Sequence, residues 1–408
     1  MRKIPWVFLV GAVISVSLGI GFLWGRHWAP KLLTRTAEQT TAVPDRVTVL
    51  KDGPWGVMES MPISIQPPEE YLSTRLLQTA DRRWYFIGCS TEQLSAMFRS
   101  ADLSSEQQAQ LLDQSKWEQA GDKTVLAPSK ELILSLSPQA RKRIYGILAN
   151  NPDNLISQIR YSFPTERFNT IFDESGLPAE TVALIKRLSF PHGRLIFFCD
   201  APLILDTLET YEQKVCLLKT LARRETLLLK LHVMPDSDVH SLMNYWAKAS
   251  WGKDVKPMLE SLAKVPGGAR IGVVHLLPPL PTESLYTYPF PSTNPTDLRK
   301  DCHWTAMNFF RDTPDPSFTN AGVIREKIQK DYYPVLSDPR FGDIIMLARQ
   351  DGTVIHSSVF IADDIVYTKN SASYMDPFLL MKLPEMIEYF EAFIPENERL
   401  KTLIFRSK

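Results

Sequence analysis

The chain has 408 residues, 46 basic and 46 acidic side chains for a formal net charge of zero, and 44% hydrophobic residues. Two or three domains with filled cores suit that length, while the charge balance excludes a whole-protein basic field for nucleic acid and an acidic disordered tail. Four cysteines (Cys89, Cys199, Cys216 and Cys302) are too few to staple a chain of this size, although Cys199 and Cys216 are open to pairing in an oxidising compartment.

Ile4 to Trp24 run for about twenty residues without a charge, enough to cross a hydrocarbon core at about 1.5 Å per residue. A secretory signal peptide shares the charged start and the apolar run, but this run exceeds a typical signal core and lacks a clean small-x-small cleavage site. Residues 1–27 are therefore expected to be an uncleaved transmembrane anchor of a single-pass protein, its bulk exported to the periplasmic or extracellular side. Residues 28–68 read as a linker and an extended segment, in which Val47, Val49, Met61, Ile63 and Ile65 alternate between Gly-Pro and Pro-Pro punctuation.

Helical signals dominate residues 69–265. Ser104-Ser105, Ser137-Pro138 and Pro178-Ala179 each stand at a helix start ahead of apolar residues. Their spacing is irregular, so no solenoid repeat is inferred. Leu195 to Phe198 and Leu227 to Leu231 fit strands or buried helix turns equally. His192, His232 and His240 are scattered, without ligand spacing. Pro266-Gly267-Gly268 marks a boundary, and residues 266–408 change to a loop-rich stretch, a helix, and then strand after strand.

In that last region Asp301 offers a cap, and Trp304 to Phe310 carry apolar side chains at helical spacing, so Cys302 falls in the first turn. Free N–H groups there favour a thiolate and can hold an oxyanion, which is why the position suits a nucleophile. Phe341 to Leu347 form a turn and a strand, Asp351-Gly352 a hairpin, and His356 opens the returning strand. A third strand begins at Ile365. An imidazole facing a helix-start cysteine supplies the base of a thiol nucleophile. Asn370, with Thr368 as runner-up, is expected to orient that ring, the two sharing a strand face. His303 adjoins Cys302 along a helix and is poorly placed as its base. No metal is expected, because Cys302, His303 and His356 lack a fourth ligand with sensible spacing.

Asp301-Cys302 at the helix start, Gly342-Asp343 before an apolar strand and His356 before the next resemble the NlpC-type branch of the papain-like cysteine peptidases, which cleave peptide stems of the bacterial cell wall. The resemblance covers about a third of the chain. It implies Cys302 as nucleophile, His356 as base, a polar residue near Thr368 to Asn370 completing the triad, and Tyr286 or Tyr288 beside the oxyanion. His303-Trp304 stand where the family has Ser-Gly, and Ser357-Ser358 where it has Val-Gly. The fold class expected is α+β: a transmembrane helix, a mainly helical middle region and a papain-like domain with a helix packed on an antiparallel sheet.

The function expected from these residues is a membrane-anchored cysteine amidohydrolase or peptidase of the cell envelope, acting without cofactor on cell-wall peptides or a related amide. Its partners would be that substrate, the membrane and, through the helical region, another protein, with no nucleic acid. The replaced glycines point instead to a catalytically degenerate binding or scaffold protein. Acyl transfer to or from lipid, suggested by the anchor and the apolar loop around Phe290, is a third reading.

Overall fold

A computed structural model describes residues 47–72, 83–149, 151, 154, 161–248, 252–292, 300–395 and 397–408, and among these the strands form four sheets. The chain enters through β1 (Thr48–Val49) and β2 (Met58–Ile65), an antiparallel pair. Two small units of identical topology follow.

The first unit comprises β3 (Trp84–Ile87), α1 (Thr91–Ser100), α2 (Ser105–Leu111), β4 (Glu118–Ala120), β5 (Lys123–Leu126), α3 (Lys130–Ser135) and α4 (Pro138–Leu148). The second repeats that order with β6 (Tyr161–Pro164), α5 (Thr165–Asp173), α6 (Ala179–Leu188), β7 (Phe190–His192), β8 (Leu195–Phe198), α7 (Ala201–Leu205) and α8 (Tyr211–Ala222). In each, the third strand lies between the other two and pairs antiparallel with both. Buried residues recur in step: Phe86 and Phe163 on the first strands, Phe98 and Phe172 on the first helices, Leu148 and Leu221 on the last. Local chemistry sets the helix starts. Ser90 and Ser104 close capping boxes with Gln93 and Gln107, and Ser137 caps the helix that opens with Pro138. Arg141 and Tyr145 of the first unit bind the buried Asp200 of the second, which joins the two.

The strand β9 (Arg224–Val233) then runs back along all of β2, and β10 (Ala269–Gly272) pairs with its other edge, completing a sheet in the order β1-β2-β9-β10. The helices α9 (Val239–Trp246) and α10 (Gly252–Leu262) lie between β9 and β10 in sequence and pack in the same core. The expected boundary at 265/266 thus falls within one sheet, because β9 and β10 stand on either side of it.

The rest of the chain supplies α11 (Pro279–Ser284), α12 (Cys302–Met307), α13 (Ala321–Asp331), β11 (Tyr332–Val335), β12 (Ile344–Ala348), β13 (Val354–Ala362), β14 (Ile365–Lys369), β15 (Phe378–Lys382), α14 (Leu383–Glu391) and β16 (Lys401–Ser407). The sheet order is β11-β16-β12-β13-β14-β15, antiparallel throughout. Its inner face, with Ile344, Met346, Val359, Ile361 and Tyr367, packs with Trp304 and Met307 of α12 and continues into the core under β2 and β9. Its outer face, with Ile345, Leu347, Phe360 and Val366, is covered by Met386 and Phe390 of α14.

Two expectations are corrected. The middle region has helices as its larger part but is not helical alone: it also holds two three-stranded sheets and the ten-residue strand β9, and the chain as described is a mixture of helices and sheets. Both short apolar runs that left helix and strand open are strands, because each finds an antiparallel neighbour. The single-pass membrane localisation is not supported either, since no helix among the described residues is long and apolar enough to cross a membrane. The segment Ile4 to Trp24 lies outside the described residues, as does the linker up to residue 46. Cys199 and Cys216 are not joined to each other, and none of the four cysteines is in a disulfide.

Candidate functional site

Cys302 is the first residue of α12, as expected, but its surroundings oppose a thiolate. The side chain is 6% exposed. Burial pushes its thiol up to about 12, and the charge of Asp301 adds to the rise, against the backbone N–H groups of Ser357 and His303 and the ammonium of Lys369. Nor are the helix-start donors vacant: the Asp301 carboxylate accepts from His303 N at 2.9 Å and Trp304 N at 3.0 Å. Asp301 is thus a conventional cap, occupying N–H groups that an oxyanion would need.

His356 does not meet Cys302. The strand β13 presents successive side chains to opposite faces. Ser357 points inward, where its hydroxyl lies 2.8 Å from His303 Nδ1 and its N–H lies against the Cys302 sulfur. His356 points outward, with no exposed surface, and its ring stacks on Phe390 of α14 with centroids 3.9 Å apart. Burial drives its imidazole well below the ordinary range, and the neighbouring His303 lowers it further. The backbone of β13 therefore separates the expected nucleophile from the expected base, and the Cys302–His356 pair is corrected on this geometry.

The other expected residues divide in the same way. Thr368 Oγ1 lies 2.8 Å from His356 Nε2 and donates to Asn370 Oδ1 at 3.4 Å, so the three polar groups form one chain on the outer face. Thr368 contacts the ring directly and Asn370 only through Thr368. Tyr286 and Tyr288 are not beside the sulfur: their hydroxyls donate to Leu227 O at 2.7 Å and to Ala222 O at 2.7 Å, tying the chain ahead of α12 to the backbone around β9.

Near the thiol stand His303, set aside in the sequence as poorly placed for a base, and Lys369, which the sequence did not single out. His303 places a ring nitrogen within 4.8 Å of the Cys302 sulfur and of an Asp301 oxygen. These three are the one group among the described residues able to share a metal ion, although the thiol is held protonated and Asp301 Oδ1 already accepts two N–H groups. Lys369 is 1% exposed and donates to Ser373 O at 2.9 Å and to Ser371 O. Burial pushes its amine down to about 8, against the charges of Asp376, Cys302 and Asp301. Its place on the strand face of Tyr367 was readable from alternation, but its burial was not.

Gly342-Asp343 has a structural explanation. Gly342 has φ +88°, and a Cβ there would stand 2.3 Å from the Phe310 ring. Asp343 is buried and takes both Nε and Nη2 of Arg406, at 3.0 and 2.7 Å. The pair fastens the turn before β12 to β16 and contributes no group to the sulfur. No family model, curated protein or solved structure matches the chain.

Proposed function

We propose that the C-terminal region is a catalytically degenerate, papain-like module that binds rather than cleaves. The observation carrying this reading is the placement of Cys302 and His356 on opposite faces of β13. A thiol attacks an acyl carbon when a base within hydrogen-bond reach takes its proton, and here the strand backbone intervenes. Two N–H groups at the helix end that could hold an oxyanion, those of His303 and Trp304, are taken by Asp301. Incubation of the full chain with purified cell-wall fragments and fluorogenic peptide amides should give no turnover above a Cys302→Ala control. Binding of a wall fragment that Cys302→Ser leaves intact would support the module directly. Turnover lost in His356→Ala, in protein that still folds, would overturn it.

A second reading is a thiol hydrolase with His303 as base, favoured by the ring nitrogen within 4.8 Å of the sulfur. It requires turnover that disappears in Cys302→Ala and His303→Ala and persists in a folded His356→Ala protein.

A further inference from the structure

A cavity of about 670 Å³ lies between the β6–β8 unit, the start of β9 and the outer face of the C-terminal sheet, on the side away from Cys302. That volume suits a small organic ligand. Its apolar wall includes Phe163 and Leu195 of the second unit, Met381 of β15 and Tyr389 of α14. Its polar groups are unevenly matched. Arg194 is paired with Glu388 at 2.7 Å, Arg224 with Asp376 at 3.0 Å and Glu225 with Arg167 at 2.6 Å. Arg223 lies against the Gln66 side-chain oxygen. Among the described residues no ion pair engages Glu385, which is exposed on the same wall.

Asn370 ends the buried chain from His356 through Thr368 and lines this cavity. Its carbonyl oxygen is taken by Thr368, while among the described residues its NH2 group has only the Met381 sulfur, at 3.8 Å. The cavity wall therefore carries an amide donor and a carboxylate outside any close ion pair among the described residues, with apolar surface around them. A donor or charge on a cavity wall without a close partner is a place where a ligand can add a contact.

From this juxtaposition we propose that the cavity binds a cationic amide, a basic side chain carried on a short peptide backbone, with Glu385 holding the cation, Asn370 donating to a backbone carbonyl and the Met381–Tyr389 wall covering the aliphatic stem. The Glu385 carboxyl is raised above its usual range by burial, with Asp364, Glu225 and Glu388 adding to the rise and Lys382 opposing it. A ligand cation would relieve that repulsion. The proposal goes beyond the binding-module reading and stands apart from it, since no step involves the thiol.

The test is calorimetric titration of the full chain with N-acetyl-lysine methylamide, beside the norleucine and glutamate analogues. Saturable binding of the lysine compound is expected, weaker by about tenfold or more for both analogues and for Glu385→Gln, as the loss of a charge-assisted contact implies. Met381→Trp, which fills the cavity from a strand position, should abolish binding while thermal unfolding stays cooperative. No saturation up to about 10 mM, equal affinity for the norleucine analogue, or unchanged binding by Glu385→Gln would overturn the assignment. Should Glu385→Gln fail to fold, the Met381→Trp and norleucine comparisons still decide it. None of these outcomes alters the turnover test on Cys302.

Discussion

The imidazole of His356 lies against the ring of Phe390, centroids 3.9 Å apart and planes 23° from parallel. That contact seats the histidine between sheet and helix, in a core continuous with Leu347, Phe360 and Met386. Nε2 meets Thr368 and Nδ1 meets no partner among the described residues, so the ring is a packed polar member of this core rather than an open base. Its removal is expected to cost stability first. His356→Ala should destabilise by about 2–4 kcal/mol in denaturant unfolding, as other large core truncations do. A variant as stable as the parent would contradict the packing described.

Thr368 and His356 should prove coupled. Thr368→Val keeps the shape but leaves Nε2 without its hydrogen bond, at a cost of about 1–3 kcal/mol for an unsatisfied buried group. In a double-mutant cycle with His356→Phe, the second threonine replacement should cost far less, because no polar ring remains to be stranded. Strict additivity would show that the 2.8 Å contact contributes nothing.

The thiol of Cys302 should be inert in the native chain. With a thiol pushed up to about 12, the thiolate fraction at neutral pH is on the order of one part in 10⁴ to 10⁵. Iodoacetamide should therefore modify Cys302 only after denaturant is added, in a background where the half-exposed Cys89 and Cys216 are replaced by serine. Labelling of the folded protein at the rate of a free thiol would show that the sulfur is accessible and ionised.

Cys302 and Lys369 should tilt the pH dependence of stability in opposite directions. The folded chain holds the thiol proton to about 12 against an ordinary 9.0, so the stabilisation from this group is complete below pH 9 and is lost as pH climbs toward 12. Lys369 titrates near 8 when folded against 10.5 ordinarily, so between those values the unfolded chain binds the extra proton and stability rises with pH. The slopes oppose each other between pH 9 and 10.5. Cys302→Ser removes the first, and its unfolding free energy should gain on the parent by about 1.4 kcal/mol per pH unit in that window. Parallel curves would contradict the buried thiol.

Gly342 and Asp343 should behave as structural residues. Gly342→Ala should cost more than about 1 kcal/mol from its left-handed backbone alone, before the Phe310 contact is counted. Asp343→Ala leaves Arg406 without its bidentate partner at a partly covered site and should cost about 3 kcal/mol. Both losses would be seen in thermal or denaturant unfolding, and a negligible change in either would remove the role given to this turn.

Much of the local structure was legible in advance because short-range chemistry decides it. Serines before polar or proline-led turns began helices at Ser104 and Ser137. The hairpin at Asp351-Gly352 and the turn at Asp363-Asp364 bounded β13 where side-chain type alone placed them, with Gly352 and Asp363 both at positive φ. The repeated unit escaped because its likeness lies in topology and in scattered core positions such as Phe98 and Phe172, not in a fixed spacing.

What the amino-acid order determined by itself was where helices and strands begin, that Cys302 opens a helix and that His356 stands on the strand after the hairpin. Only the tertiary structure decided which way they face. Val354 packs on the inner side and Ile355 on the outer, and the register shift opposite Leu347/Ala348 then leaves His356 outward as well. An uninterrupted strand would have put His356 on the face of Val354, toward Cys302. Both faces of β13 are covered, so its run of buried residues carries no inside-outside pattern from which that shift could be read.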